Sequence, residues 1–454
     1  MELKNKKVLV VGFGKTGEAL VKFLLSRNAK VKVSEIKKKE EMGQRVKKWL
    51  SENVEFEFGE HREETFLKPD LIVLSPGVPP IPQIEKAKRS GIKVISEIEL
   101  AFQYLKGKII GVTGSNGKST TTTLIYQILK EAGLKTYLAG NIGFPLISYA
   151  SSSSENDIFV VELSSFQLKY IEKFRPNIAI FLNITPDHLD WHPDFNDYYE
   201  SKKNIFLYQT SEDFAILNAD DPKIWILRNE ISAEVYPFSR KKKFERGAYI
   251  ENEYIFVSTG NSKVKLDTKN ILLRGPHNQE NIMASVLTAS LLRISEKIVK
   301  KIIYNFKGLE HRLEKVTTIN GIEFYNDSKA TNVDATLKSL QSFDENIILI
   351  LGGRDKHGDF TKLREEVNKR VKKLIIIGEA KEKIRAALEG SVPMQYAKSL
   401  GEAVRIGFNW AEKGDVVLLA PACASFDMFD NFEHRGRVFK EEIFKLKEEL
   451  SKNV

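Results

Sequence analysis

Val112-Thr113-Gly114-Ser115-Asn116-Gly117-Lys118-Ser119-Thr120 lies between an apolar run, Lys108-Ile109-Ile110-Gly111, and a helical pattern that starts at Thr121. A glycine-rich turn between a strand and a helix start aims several backbone N–H groups at one point. The helix dipole adds partial positive charge there. The stretch reads as a phosphate-binding loop, with Lys118 reaching terminal phosphates and the Ser119 hydroxyl holding a divalent cation. Its first glycine is displaced, because Gly111 stands one residue early and Val112 takes the usual position. A loop that merely caps a helix is the competing reading, and Gly-Lys-Ser in a strand–turn–helix context favours phosphate.

Downstream, apolar runs alternate with helical stretches, which argues for a parallel α/β sheet over 106–306. Ile158-Phe159-Val160-Val161-Glu162 ends in a carboxylate, and Ile178-Ala179-Ile180-Phe181-Leu182 leads into Asn183-Ile184-Thr185-Pro186-Asp187-His188. Neighbouring strand ends of a parallel sheet converge on the edge that carries the phosphate loop. Glu162 suits Mg²⁺ there, whereas an imidazole such as His188 is a less usual ligand for so hard an ion. A loop histidine bonded to backbone is the alternative for His188. Alternating residues between Phe238 and Leu273 predict antiparallel hairpins. Gly275-Pro276-His277-Asn278-Gln279-Glu280-Asn281 opens a helix that sets Asn278 and Asn281 on one face, able to read a base edge or ribose or simply to cap the helix.

Upstream, 1–105 holds Lys7-Val8-Leu9-Val10-Val11, the turn Gly12-Phe13-Gly14-Lys15-Thr16-Gly17, and a second strand ending at Ser34-Glu35. That is a βαβ unit with an acidic residue where a ribose contact belongs, though a lone GxGxxG also serves plain strand–helix packing. Ser75-Pro76-Gly77-Val78-Pro79 follows a further buried strand. The last block, 307–454, repeats the α/β pattern. Its polar loops, Asp327 to Asn332, Gly352-Gly353-Arg354-Asp355-Lys356 and Pro421 to Asp427, each follow a strand, face one edge and together suit a small acid.

The chain has 454 residues, 42% hydrophobic and 29% charged, an ordinary globular balance that suggests two to four domains. No apolar run is long enough to span a bilayer and the N-terminus does not read as a signal peptide, so stable membrane insertion is not expected. Cys423 is the single cysteine, so no intrachain disulfide forms, and a cytoplasmic location is the default. The net charge of +9 suits small anionic substrates. The basic runs Lys37-Lys38-Lys39 and Arg240-Lys241-Lys242-Lys243 lack interleaved aromatics, so no nucleic-acid partner is expected.

Taken together and in order, these motifs resemble the Mur ligase family, and within it the members that add D-glutamate. The resemblance spans all three blocks. Thr113 to Ser119 resembles the family's ATP loop, Glu162 to Leu168 and Asn183 to Asp190 its metal segments, and His277 to Asn281 its adenine segment. Glu310-His311-Arg312 resembles the start of its third domain. Asp327-Ser328-Lys329-Ala330-Thr331-Asn332, Ser425-Phe426-Asp427 and Asn431-Phe432-Glu433 resemble the D-glutamate-adding members specifically.

The resemblance implies an α/β fold of three domains: an N-terminal Rossmann-like UDP-binding domain (1–105), a central P-loop ATPase-type domain (106–306) and a C-terminal Rossmann-like domain (307–454) that takes the amino acid. It implies ATP-dependent joining of D-glutamate to UDP-N-acetylmuramoyl-L-alanine through an acyl phosphate, with two Mg²⁺ sites, by a monomer. By resemblance, Gly114, Ser115, Asn116, Gly117, Lys118, Ser119 and Thr120 hold the phosphates, and Asn278, Asn281, Arg312 and Asp327 the rest of ATP. Ser119, Glu162, His188 and Lys202 hold metal. Thr16, Glu35, Lys37, Ser75 and Gly77 meet the uridine end, with Glu35 where the family often has aspartate. Asn141 meets the muramoyl group, and Lys329, Thr331, Lys356, Ser425 and Phe432 the D-glutamate. The family also carries a carbamylated lysine. Its pattern reads here as Tyr198-Tyr199-Glu200-Ser201-Lys202-Lys203-Asn204-Ile205-Phe206, whose Ile205-Phe206 sets the register on Lys202 and leaves Lys203 as the neighbouring alternative. Three domains joined near Lys106 and Lys307 imply hinge closure, which keeps water from an acyl phosphate.

Overall fold

Val8 to Val11 and Leu71 to Leu74 are unbroken apolar runs, buried throughout, as strands covered on both faces must be. They form the centre of an all-parallel sheet made of β1 (Lys7–Val11), β2 (Lys30–Glu35), β3 (Glu55–Phe58), β4 (Leu71–Leu74) and β5 (Lys93–Ser96), in the order β3-β2-β1-β4-β5. The strand order reverses between β1 and β4, the place where such sheets bind ligands. The two strand ends are tied there, since the Ser75 hydroxyl donates to the Gly12 carbonyl at 2.9 Å. Gly12 has φ +83°, and a Cβ at Gly17 would collide with the Gly12 carbonyl, so both glycines are required. The computed structural model describes residues 1–452 apart from 51, 53, 190, 274 and 357. Asp190, at the end of the second metal-like segment, therefore lies outside the described residues.

The second sheet contains β6 (Lys108–Thr113), β7 (Thr136–Gly140), β8 (Ile158–Glu162), β9 (Ile178–Phe181), β10 (Phe214–Asn218), β11 (Glu234–Ser239), β12 (Gly247–Glu251), β13 (Tyr254–Ser258) and β14 (Lys263–Asp267). Its order is β14-β13-β12-β11-β10-β9-β6-β8-β7. The strands from β7 to β11 run parallel, while β12, β13 and β14 form the antiparallel meander expected between Phe238 and Leu273. Strand β6 lies between β9 and β8, with Val112 opposite Glu162 and Thr113 opposite Phe181. This register brings the phosphate loop, Glu162 and the 183–188 segment to one edge.

The third sheet contains β15 (Glu314–Ile319), β16 (Ile322–Asn326), β17 (Ile347–Gly352), β18 (Val371–Ile377), β19 (Met394–Tyr396) and β20 (Val416–Leu419), in the order β15-β16-β20-β17-β18-β19. Only β15 is antiparallel to its neighbour. Strands β16, β20 and β17 are adjacent, so the three polar loops of 307–454 leave neighbouring strand ends.

The chain divides into two compact units, Met1–Asp267 with Glu280–Ile302, and Thr268–Gln279 with Ile303–Val454. In the first unit the first two sheets share one apolar core, which includes Leu24, Ile98, Ile147, Phe159 and Phe174. Between those sheets runs the helix Glu97–Phe102. Its two acidic residues point inward. Glu97 accepts the Ile147 N–H at 2.6 Å, and Glu99 Oε2 accepts the N–H groups of Glu172, Lys173 and Phe174 at 2.8–2.9 Å. Burial pushes the Glu97 carboxyl up to about 7 against the pull of the Ile147 and Leu146 backbone donors. Among the described residues no helix is long and apolar enough to cross a membrane.

Candidate active site

The phosphate loop leaves β6 through Gly114, φ +147°, and enters the helix Lys118–Glu131 through Gly117, φ +89°. Its N-cap, Gly117, contributes no side-chain cap, and the helix start behind it is the kind of N-terminus that suits an anion. A Cβ at Gly117 would collide with Asn281 Oδ1, which accepts from the Thr121 hydroxyl at 3.3 Å, and Asn281 thereby abuts the loop. Ser119 and Thr120 are buried at the helix start. Lys118 curls back and donates to the carbonyls of Gly114 at 2.8 Å and Ser115 at 2.9 Å.

Ser115 and Asn116 turn toward the 183–185 segment. The Ser115 N–H donates to the Asn183 carbonyl, its hydroxyl to the Thr185 carbonyl, and the hydroxyl also lies 3.0 Å from Tyr198 Oη. The Asn116 N–H donates to Asn183 Oδ1, and Asn183 Nδ2 returns a bond to the Asn116 carbonyl. Their side chains and backbone thus bind the loop to the segment that carries His188. His188 itself is strained, with φ +54°, and half-exposed. Its N–H donates to Asp187 Oδ1, and its ring meets Phe166 edge-on at 4.9 Å.

Glu162 is buried at the end of β8, and its Oε1 accepts from Asn141 Nδ2 at 2.9 Å. The 140–141 turn is built for this, since a Cβ at Gly140 would collide with the Glu162 carbonyl. Lys202 donates to the Gly114 carbonyl at 2.9 Å, so the two ammonium groups of Lys118 and Lys202 share one acceptor. Burial first, and then the Lys118 charge, hold the Lys202 pKa well below the usual lysine range, against the pull of Asp187 and Glu162. Lys203 is the opposite case. It is half-exposed, paired with Glu230 at 2.7 Å, and its pKa is raised by that bond. Lys202 is thus the lysine inside the site and Lys203 is tied to the surface.

A further group was not legible in the sequence. His192 is buried, with Nδ1 2.5 Å from Asp197 Oδ2 and Nε2 2.8 Å from the Ser165 hydroxyl. Burial would raise the Asp197 carboxyl, but Lys169, 2.7 Å from both its oxygens, and His192 outweigh that and leave it below the ordinary range. An ionised Asp197 requires Nδ1 to donate, so Nε2 accepts from Ser165. This chain joins the helix Ser165–Lys169, just after Glu162, to the helix Phe195–Lys203 that carries Lys202. The acidic cap before that helix is visible as Asp194 and Asp197, but the partnership with Ser165 joins distant segments and leaves no local pattern.

In the N-terminal sheet, Gly14, Glu35 and Lys37 line one cleft of about 350 Å³ together with Phe13, Glu41 and Met42. Glu35 is buried and already accepts the N–H of Phe13 at 2.6 Å and of Lys37 at 3.0 Å, so its carboxylate shapes the turn. Thr16 stands in the first turn of the helix Lys15–Ser26, Ser75 holds Gly12, and Gly77 is exposed beyond it.

In the second unit, Asp327 is buried, bonded to the Ser339 hydroxyl and held above the usual range by burial, with Arg312 and Lys329 as its nearby cations. Lys329 places its ammonium 5.5 Å from the centre of the Phe432 ring, and Thr331 donates its N–H to the Lys329 carbonyl at 2.8 Å. Ser425 is buried at the start of the turn after β20, whereas Lys356 is exposed beyond β17. Asn278 is buried in the first turn of the helix Pro276–Leu291.

Three family models match the chain in this order: Mur ligase MurD-like, N-terminal domain, over 6–96, Mur ligase middle domain over 112–289, and Mur ligase, glutamate ligase domain, over 311–423. The chain is 45% identical to the UDP-N-acetylmuramoylalanine--D-glutamate ligase of Koribacter versatilis, with all of both chains covered. It is also 45% identical to the Thermoanaerobacter sp. protein of that name, over 98% of this chain and 100% of that one. Solved structures share the fold at low identity. The UDP-N-acetylmuramate-alanine ligase of Thermotoga maritima aligns with a TM-score of 0.61 at 18% identity, covering 98% of this chain and 100% of that one. A pseudomurein peptide ligase of Methanothermus fervidus aligns with a TM-score of 0.60 at 20% identity over the same shares. With full-length relatives at this identity and family models along all three sheets, the chain belongs to the Mur ligase family.

Proposed function

We propose that the chain is an ATP-dependent ligase that joins D-glutamate to UDP-N-acetylmuramoyl-L-alanine in peptidoglycan precursor synthesis. The observation that carries this is the meeting of Lys118 and Lys202 on the Gly114 carbonyl beside buried Glu162, in a chain 45% identical end to end to ligases of that name. Residues 1–105 take the UDP end through Thr16, Glu35, Lys37, Ser75 and Gly77. Residues 106–306 take ATP, with Asn141 on the muramoyl group. Residues 307–454 take D-glutamate through Lys329, Thr331, Lys356, Ser425 and Phe432, and Arg312 and Asp327 serve ATP. The enzyme works as a monomer in the cytoplasm.

A carboxylate resists an amine until one of its oxygens becomes part of a leaving group. In the first step a carboxylate oxygen of the L-alanyl group bonds the γ-phosphorus, the bond to the β–γ bridging oxygen breaks, and ADP leaves. The amine nitrogen of D-glutamate then bonds the acyl carbon, loses a proton, and phosphate departs with the former carboxylate oxygen. The first step brings two anions together, so Lys118 must leave the carbonyls of Gly114 and Ser115 for the phosphates. The helix N-terminus behind Gly117 supplies fixed N–H donors to the same phosphates.

Among the described residues no three His, Cys, Asp or Glu side chains group as metal ligands. Glu162, His188 and Ser119 therefore need another anionic oxygen, and Lys202 suits that part. Its buried amine, disfavoured as a cation, adds CO₂ and sheds a proton to become a carbamate. Ser119, Glu162, His188 and the carbamylated Lys202 would then hold two Mg²⁺ ions, which would neutralise the attacking carboxylate and the transferred phosphoryl. Asn141 holds the Glu162 carboxylate in place. ADP release measured with D-glutamate, L-alanine, a diamino acid or no amino acid tests the proposal. D-glutamate-dependent release is expected, and release independent of it would overturn the assignment.

A further inference from the structure

Arg435 is one of the largest fully buried side chains, only 1% exposed, and no motif in the sequence singles it out. It stands in the first turn of the helix Phe432–Lys452. All five of its guanidinium N–H donors are used. Nε donates to the Ser328 hydroxyl at 2.9 Å. Nη1 donates to the carbonyls of Cys423 at 3.1 Å and Ala424 at 3.3 Å. Nη2 donates to the carbonyls of Ser328 at 2.8 Å and Cys423 at 3.1 Å. These partners are all neutral oxygens, so burial lowers the Arg435 pKa to about 10, with Cys423 and Asp427 pulling the other way. A side chain that only stabilised a core would be less costly as an apolar residue.

Its partners are informative. Ser328 precedes Lys329 and Thr331 in the loop after β16, and its hydroxyl donates onward to the Phe432 carbonyl at 2.8 Å. Cys423 and Ala424 precede Ser425 in the loop after β20. Ala422, just before them, sits at φ +54°, a conformation that a non-glycine residue keeps only when its surroundings impose it. The third loop is joined through Ala424, which exchanges both backbone bonds with Arg354 at 2.9 Å. Gly353 lies so close that an added Cβ would stand 3.2 Å from Arg435 Nη1. One guanidinium therefore reaches, directly or through one residue, every segment that carries a D-glutamate candidate.

We propose that Arg435 is a positioning residue for the acidic amino acid, setting the relative placement of Thr331, Lys356, Ser425 and Phe432 without touching the substrate. The proposal rests on the ligase reading above. Lysine keeps the charge but loses the five-donor fork, so it cannot hold both carbonyl loops and Ser328 at once.

The test is steady-state ADP release by the full chain as wild type, Arg435→Lys and Ser328→Ala, with each substrate varied in turn and thermal unfolding followed in parallel. Arg435→Lys is expected to raise KM for D-glutamate by roughly tenfold to a hundredfold, with KM for ATP and for the UDP-linked substrate within about twofold. Ser328→Ala, which removes one hydroxyl, is expected to raise the D-glutamate KM alone by a smaller factor and keeps the question open to measurement if Arg435→Lys fails to fold. An unchanged D-glutamate KM in the folded variants, or equal rises in all three KM values, would overturn the positioning role. Wild-type protein that releases no ADP with D-glutamate would instead overturn the ligase reading.

Discussion

At the scale of single residues, two lysines and two glycines carry most of the chemistry. Lys118 was legible because Gly-Lys-Ser sits between a strand and a helix, and its curl onto the loop carbonyls fits a group awaiting phosphate. Lys202 and Lys203 are adjacent and identical in type, and only burial separates them: one is inside beside Gly114, the other outside on Glu230. Lys202→Ala is expected to be nearly inactive and partly rescued by a small carboxylate such as acetate or propionate, read as ADP release. Full activity in that variant would remove Lys202 from the site. Gly117→Ala has both a left-handed backbone and a collision with Asn281 to relieve, a strain on the order of 1–3 kcal/mol. It is expected to weaken ATP binding in a nucleotide titration while far less affecting the UDP-linked substrate. Ser115 and Asn116 were legible as loop residues but not by orientation, since their bonds go to Asn183 and Thr185, nearly 70 positions away.

At the scale of elements, what can be read from a sequence follows burial. The strands 8–11, 71–74, 158–161 and 347–351 are apolar without a break because they are covered on both faces. The edge strands β3, β7 and β19 are partly exposed and mixed in composition, so they carry no unbroken apolar run like that of the inner strands. The helix Glu97–Phe102 misleads in the other direction. Its Glu97 and Glu99 look like surface charges, yet both are buried on backbone donors. Glu97 has a folded pKa of about 7, above its ordinary 4.5, so the folded state holds the extra proton. Its stability contribution is then fully present below pH 4.5 and is lost as pH rises toward 7, by about 3 kcal/mol over that window. Glu97→Gln, which keeps an acceptor for Ile147, is expected to flatten the fall in Tm between pH 5 and pH 8. An unchanged slope would contradict it. The bond chain from Ser165 through His192 to Asp197 connects the helix after Glu162 with the helix of Lys202. His192→Ala is expected to lower kcat by roughly tenfold or more with KM for D-glutamate little changed, as measured by steady-state kinetics.

At the scale of the whole molecule, three α/β blocks were legible because each carries buried apolar strands followed by polar loops. What the sequence did not show is that the first two sheets share a core and fall in one compact unit, because contacts such as Glu99 with 172–174 join segments far apart in sequence. Nor did it show Arg435, since an arginine in an amphipathic helix looks the same whether it meets water or five oxygens. The three loops that Arg435 serves were each readable as polar loops after strands, but their adjacency depends on the order β16-β20-β17, which local pattern cannot give. The central claim is a coupled one: ATP cleavage at Lys118 serves amide formation with D-glutamate and nothing else. The most direct measurement is mass analysis of the UDP-linked product beside ADP and phosphate, with D-glutamate and competing amino acids supplied together. The account predicts one product, the substrate plus one glutamate residue, formed one for one with ADP and phosphate. ADP formed without that product, or a product bearing a different amino acid, would contradict it.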